Sequence, residues 1–436
     1  SAPTVPFISS EESAMDSMYY GDTLIVDLAA GTTEQVDFVE AEEAGPGLAA
    51  GLALYEKYKD DDPLVFGSGL LAGTPVPAAC LGFVLGKSPL SGELATAPLN
   101  LFAGAEMKLS GFAMVVVKGK SAKPVYLWLH DGVADILDAS ALEGKDTWET
   151  TDAIRREMGE SLIQVISTGP AGEAGSPLAS ISINYWGSGD TVALGAVMGE
   201  KKLKAVALRG LGMLDADEPE AFYTKALELL AGARADKGFG AICQAIGAPD
   251  LDPWLEPLTH RVRSCFACPS ACSTFVKYNE APSVLESTDV EEPGMLVTSP
   301  AAALWLMQGG WEAEPACRAM EAMAREGIDP VRGARELAAK PLSGTDEINA
   351  AVKSLEGSQD AGWPAGEQPA YGLFGPWAPP LAAPDEWLAA NRAAYVLGVC
   401  PTYLMLSGLD LGALLELCGP AAGLELELDS IAAMFG

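Results

Sequence analysis

Cys265, Cys268 and Cys272 stand in the stretch RSCFACPSACSTF with the spacing C-x2-C-x3-C. Such a chain must fold so that one tight loop presents three sulfurs and a distant segment meets that loop. Two-residue spacing lets two sulfurs bend round one ion or one cluster corner, and three-residue spacing sets the third one helical turn on. Three thiolates from one loop suit three corners of an iron–sulfur cube, with a fourth ligand from elsewhere. Thiolate donors favour soft metals. Zinc sites usually show two separated pairs, or cysteines with histidine. Here the nearby histidine is His260, and there is no second C-x2-C. A redox dithiol normally sits in a thioredoxin-like βαβ unit, which is not apparent. The order also reverses the C-x3-C-x2-C of radical-SAM enzymes. Structural or free thiols stay open as the plain alternative.

The fourth thiol must come from Cys80, Cys243, Cys317, Cys400 or Cys418. Cys317 and Cys418 lie on apolar helical runs, where a single cysteine is usually a small buried hydrophobe. Cys400 is expected to end a helix in LGVC before Pro401, a position that frees its sulfur to point at something.

At 436 residues the chain exceeds one ordinary core. Three domains are expected: a β-rich one over 1–210, a helical one with the cysteine loop over 211–340, and a helical C-terminal one over 341–436. The 60 acidic against 27 basic side chains give a net charge of −33. That surface repels phosphate backbones and anionic membranes, so nucleic acid is a poor partner; a basic partner would suit it. No segment reads as membrane-spanning, because the apolar stretch from Leu397 to Cys418 carries Pro401, Asp410 and Glu416. The N-terminus has neither a basic nor an apolar leader region, and Ser1 fits removal of an initiator methionine. Eight cysteines fall short of a disulfide scaffold, so a reducing cytoplasm is expected.

Along the first 210 residues, DTLIVDLAAG, PLVFGSG, AMVVVKGK, PVYLWLHDG and LIQVISTG read as strands bounded by Gly, Pro or Asp. One helix is expected among them, from an Asp146 or Thr147 cap to Gly159, and KKLKAVALRG reads as a closing strand. After Leu214 the pattern turns helical, with Phe222, Ala226, Leu229 and Leu230 on one face. Residues 341–384 read as an irregular connection. PDEWLAANRAAYVLGVC is expected to run as a helix to Cys400, stopped by Pro401, and LDLGALLELCG to end at Gly419. No internal repeat is apparent. GSGLLAG is a weak dinucleotide-loop match, because no helix follows it. His130 and His260 read as structural, and Trp254, Phe266 and Phe275 as packing near the cysteine loop. Arg261, Arg263 and Lys277 flank the cysteines, where positive charge would stabilise thiolates.

RSCFACPSACSTF resembles the cluster-binding loop of the tungsten-containing aldehyde ferredoxin oxidoreductase family. GTPVP, GKSPLSG, GAEMKLSGFAMVVVKGKSAKPVYLW, GKDTWET, GPAGE and LGAVMGEKKLKAVALRG are similar, in order, to that family's N-terminal domain. The resemblance implies an α+β fold: a β-rich N-terminal domain that clasps a metallated bis-pterin, then a mainly helical region. It also implies a [4Fe–4S] cluster on Cys265, Cys268 and Cys272, with the fourth ligand from an LG-x-C element that Cys400 matches.

The departures concern the other cofactor. Where the family carries an Arg in the loop before KSPLSG, this chain has Ala78, Ala79 and Cys80. Its Asn-Ser-Gly-Gly stretch becomes Pro98, Leu99, Asn100 and Leu101. Asp190 and Thr191 replace the expected positive or bare backbone in WGSGDTVAL. The two pterin-holding Asp positions are Ala324 and Tyr395. Phosphates need cations, helix N-termini or close amides. The expectation is therefore an electron-transfer subunit of a larger redox complex, with other redox subunits or ferredoxin-like iron–sulfur proteins as partners, in a hetero- or homo-oligomer. The alternative is a tungsten- or molybdenum-bis-pterin enzyme oxidising aldehydes to acids.

Overall fold

A computed structural model describes residues 22–36, 44–187, 189–212, 214–278, 294–358, 372–374 and 384–435. Its N-terminal part is built from two sheets. The first contains β1 (Asp22–Asp27), β2 (Thr32–Val36), β3 (Leu64–Ser68), β4 (Gly82–Lys87), β5 (Leu94–Leu99) and β6 (Phe112–Lys118), ordered β2-β1-β6-β3-β4-β5. The second contains β7 (Val125–His130), β8 (Val133–Asp138), β9 (Gln164–Thr168), β10 (Ile181–Ile183), β11 (Trp186–Gly187) and β12 (Leu203–Arg209). Read from the other edge, its order is β8-β7-β12-β9-β10-β11, which is the first sheet with every number raised by six. Orientations agree too: first strand parallel to sixth, all other pairs antiparallel. The two halves are thus structural copies, although no repeat stands out in the sequence. One trace survives there: GAEM at 104–107 and GAVM at 195–198 lie in equivalent short helices, Ala103–Leu109 and Leu194–Glu200.

Alternation along the strands decides what packs where. In β6, Val115 and Val117 face the second sheet in a core shared with Leu127, Ile166, Val206 and Leu208. Met114 and Val116, one residue out of phase, face the helix Leu48–Tyr58 and the C-terminal helices instead. A strand buried on both faces reads as a continuous apolar run, which is why AMVVVKGK was legible. The helix Thr147–Met158 also follows expectation. Asp146 and Glu149 form a reciprocal capping box, and Gly159 ends it in the left-handed region at φ 71°.

Several expectations need correction. Thr147–Met158 is not the one helix among the strands, since Leu48–Tyr58 is another. Around the cysteines, β13 (Thr259–Arg263), β14 (Ser273–Lys277) and β15 (Gly294–Val297) form a three-stranded antiparallel sheet, inside the domain read as helical with a cysteine loop. Thr345–Ser354 is a helix within the supposed irregular connection, much of which lies outside the described residues. Pro401 stops nothing: the preceding helix is Pro384–Leu397, and Pro401 opens the next one, Pro401–Ser407. LDLGALLELCG divides into Leu411–Leu415 and Cys418–Ala422. No helix among the described residues is long and apolar enough to cross a membrane.

The helical part meets the sheets along two equivalent seams. Ala313–Glu326 and Pro384–Leu397 each end in a left-handed glycine, Gly327 at φ 68° and Gly398 at φ 81°. Gly398 lies against Gly69, just after β3, and Gly327 against Gly169, just after β9. A Cβ on Gly69 would sit 2.0 Å from the Gly398 nitrogen, and one on Gly169 would sit 2.5 Å from the Glu326 oxygen. Gly69 of GSGLLAG thus serves backbone contact with the C-terminal segment.

Candidate metal centre at the first seam

The strands β13 and β14 clamp the cysteine loop at its root, where Arg263 pairs with Ser273. Within the loop, the Cys268 amide donates to the Cys265 carbonyl at 3.2 Å and Ala267 adopts a left-handed φ of 49°. This tight turn is what the two-residue spacing implied. Phe266 donates its amide to the Leu101 carbonyl at 2.8 Å, and the Ala267 carbonyl accepts from the Ala78 amide at 2.9 Å. The C-terminal segment joins the same point. The Cys400 amide donates to the Ala78 carbonyl at 3.0 Å, and the Leu81 amide to the Gly398 carbonyl at 2.9 Å. Behind this loop the buried Lys108 ammonium donates to the Leu70 carbonyl, and burial pushes its pKa down to about 7.

Three chain segments therefore converge, and their thiols with them. Cys268 feels Cys400, Cys265 and Cys272, while Cys272 feels Cys265 and Cys400. Cys400 is the N-cap residue of Pro401–Ser407, with no side-chain cap bond of its own. Its sulfur lies beside the free amides of Thr402 and Tyr403, which favour a thiolate. Burial nevertheless raises the Cys400 thiol to about 11 and raises Cys268 and Cys272 further. Cys265 alone of these four moves down, chiefly through a hydrogen bond from the Cys80 thiol, with help from Arg263. Neighbouring buried thiols resist joint ionisation, and bound metal ions reverse that balance.

Among the described residues, no group of three or more His, Cys, Asp or Glu side chains closes round a single ion position. Tetrahedral thiolates on one zinc lie only about 3.8 Å apart, given Zn–S bonds of ~2.3 Å. A cube spreads its four ligands over four irons and so sets them wider. Cys265, Cys268, Cys272 and Cys400 are part-buried and offer sulfur alone, the donor chemistry that an iron–sulfur cluster takes.

Other candidates fall elsewhere. Cys317 and Cys418 are fully buried inside helices, and the Cys418 thiol donates to the Leu414 carbonyl. Cys243 is buried in the helix Gly240–Ala245. His130 stacks on Trp128, and His260 lies edge-on to Phe275. Cys80 is the residue whose place went unread. It is buried, and Cys265, Cys400 and Cys268 lie within electrostatic reach of its thiol. The signal was present, since Cys80 was noted as replacing an Arg.

The second seam holds a different set. The Asp190 carboxylate, wholly buried, accepts from the amides of Ile181, Val192, Leu194 and Gly195 at 2.9–3.3 Å. Burial pushes its pKa up to about 6, against the pull of those amides. Asp329 and Arg332, both 0% exposed, pair at 2.6 Å. The Ala324 carbonyl accepts from the Thr147 and Ser182 hydroxyls, and the Tyr395 ring packs on Phe374 and Phe83.

Residues 23–210 match the family described as aldehyde ferredoxin oxidoreductase, N-terminal domain. A tungsten-containing aldehyde ferredoxin oxidoreductase of Pyrococcus abyssi is 31% identical over 312 residues, 63% of this chain and 51% of the relative. An aliphatic sulfonate oxidoreductase, WOR-like subunit, of Pyrococcus furiosus is 30% identical over 238 residues, 49% of this chain and 37% of the relative. The alignment with the Pyrococcus abyssi protein spans about half that relative's length. Among solved structures, the active site complex BamBC of benzoyl coenzyme A reductase, with 1,5-dienoyl-CoA, matches at TM-score 0.73 and 19% identity. That match covers 96% of this chain and 87% of the other, and it speaks to the fold.

Proposed function

The chain belongs to the aldehyde ferredoxin oxidoreductase family, and on that premise we propose that it is an electron-transfer subunit of a larger redox complex. One [4Fe–4S] cluster is held by Cys265, Cys268, Cys272 and Cys400. The observation that carries this reading is the convergence of those four thiols from a clamped loop and a helix N-cap. Bound, the cluster supplies one-electron storage, with a potential set by burial, nearby charge and hydrogen bonds to sulfur. The chain's own contribution is to hold the four part-buried cysteines together and to set Arg263 close to Cys265. Two similar proteins bear names of a subunit or of a complex, which supports redox subunits or ferredoxin-like iron–sulfur proteins as partners.

The residues present do not fit a metallated bis-pterin. A phosphate would need the amides that Asp190 already occupies, and would meet a carboxylate there. The ring-holding positions offer Ala324 and Tyr395, neither of which has a carboxylate. The names of the relatives favour the second reading, a tungstopterin aldehyde oxidoreductase, and these side chains oppose it. Electron paramagnetic resonance of the anaerobic protein tests the proposal. A reversible one-electron signal from an iron–sulfur cube is expected on reduction with dithionite. A cluster that cannot be reduced, or a pentavalent tungsten or molybdenum signal, would count against it.

A further inference from the structure

We infer that an acidic, leucine-floored groove near residue 425 docks a basic amphipathic helix of a partner subunit. The inference rests on the reading of the chain as a subunit of a larger complex, and it adds the place and the chemistry of the contact.

The stretch Leu424-Glu425-Leu426-Glu427-Leu428-Asp429 alternates apolar and acidic side chains. Its start is tied to the helix Cys418–Ala422, because the Leu424 amide donates to the Cys418 carbonyl at 3.2 Å. Its end opens the helix Leu428–Ala433, which Glu427 caps. Alternation sorts the side chains. Leu424 and Leu426 are half-buried and pack on the C-terminal core, as Leu415 does. Glu425, Glu427 and Asp429 are exposed, as is Glu416, and Leu428 keeps 46% of its surface in water. These side chains, with Gly412 and Gly419, line an open groove of about 570 Å³. There is unfilled room beside Gly419, where a Cβ would meet no atom within 4 Å.

Covering the leucines would remove apolar surface from water. Only an occupant that also answers four carboxylates can do so, because a buried charge without a partner is costly. Among the described residues, no Lys or Arg lines the groove. The rest of this chain cannot supply one. All 27 Lys and Arg residues lie within the described residues, and segments outside them, such as 1–21 and 279–293, carry acids and no base. A second copy meeting this face with its own would set carboxylate against carboxylate. The complementary occupant therefore comes from another protein and carries Lys or Arg beside an apolar stripe. Short helices wall the groove, and none of its lining residues lies in a strand. That form takes an incoming helix rather than an added strand.

Two measurements test the inference. In the assembly purified from its source, zero-length carbodiimide coupling is expected to join partner lysines to one or more of Glu416, Glu425, Glu427 and Asp429, read by mass spectrometry. Partner lysines joined only to carboxylates elsewhere overturn the groove and leave the complex standing. Links to lysines of a second copy of this chain overturn the choice of occupant. A chain that purifies without any partner overturns the complex reading as well, which separates the two failures. On the isolated full chain, fluorescence anisotropy follows a labelled synthetic helix of leucine and lysine with its leucines on one face. Gly419→Leu, which fills the groove, is expected to weaken binding at least about tenfold, and Glu425→Lys several-fold, with iron content and EPR signal unchanged. Glu34→Lys, the same charge change on β2, is expected to leave binding nearly unaltered. Equal binding by wild type and Gly419→Leu, or by a lysine–serine peptide of the same charge, overturns the inference.

Discussion

At the first seam the chain reads Gly398-Val399-Cys400-Pro401, and at the second Gly327-Ile328-Asp329-Pro330. Both stretches leave a helix through a left-handed glycine, bond back to an equivalent loop of the repeated sheets, and open a new helix with proline. The backbone frame is shared, and one side chain differs. Asp329 spends its carboxylate locally: one oxygen caps Val331 and Arg332, the other pairs with the Arg332 guanidinium. Cys400 makes no cap bond, so its sulfur is left for the four thiols around it. Asp190 extends the contrast, because it satisfies amides in its own half. One seam is closed on itself by charge, and the other gathers the thiols proposed to hold the cluster.

The most damaging way to break this comparison is to make the first seam like the second. Cys400→Asp is expected to cap Pro401–Ser407 as Asp329 caps its helix, and to lower bound iron from about four per chain to three or fewer. Iron analysis checks this, and full retention would mean that another thiol is the fourth ligand. At the second seam, Arg332→Ala leaves Asp329 buried without its ion partner. A loss of about 3–5 kcal/mol is expected in denaturant unfolding, with the iron content of the surviving fold unchanged. Gly69→Ala and Gly169→Ala sharpen the contrast. Each drives a Cβ into the opposite backbone and should cost at least about 1–3 kcal/mol, but Gly69→Ala alone should also lower iron occupancy. A pH-dependent effect concerns Asp190. Its folded pKa of about 6 stands above the ordinary 3.8, so the folded state holds the proton more tightly. Stability from this group is greatest below pH ~4, falls through pH ~6, and is flat above, a drop on the order of 3 kcal/mol. Unfolding of wild type and Asp190→Asn across pH 4–8 should differ by that slope, and parallel curves would contradict it.

The first-domain strands were legible because each is a short apolar run between breakers, and Thr147–Met158 because Asp146, Glu149 and Gly159 mark both its ends. The helix Leu48–Tyr58 was not, because Gly47 gives no side-chain cap and LAAGLALYEKY lacks a polar face at its start, where Leu48, Ala49, Ala50 and Gly51 are all buried. The repeat was hidden because strand order leaves no periodic mark, and the halves share little beyond GAEM and GAVM. Around the site, spacing pointed to Cys265, Cys268 and Cys272, and the LGVC element to Cys400. The mechanism for Cys400 was misread, since Gly398 ends the helix and Pro401 begins the next. The place of Cys80 follows from the left-handed Ala78, at φ 59°, a conformation that no local pattern announces. Asp190 was visible as an acid where bare backbone was expected, but its four amide partners come from the tertiary fold.

Elemental analysis of the protein purified without oxygen tests the central claim most directly. About four irons per chain, with neither tungsten nor molybdenum and no pterin fluorescence after denaturation, is the predicted result. A chain free of iron, or one carrying stoichiometric tungsten with pterin, would contradict it.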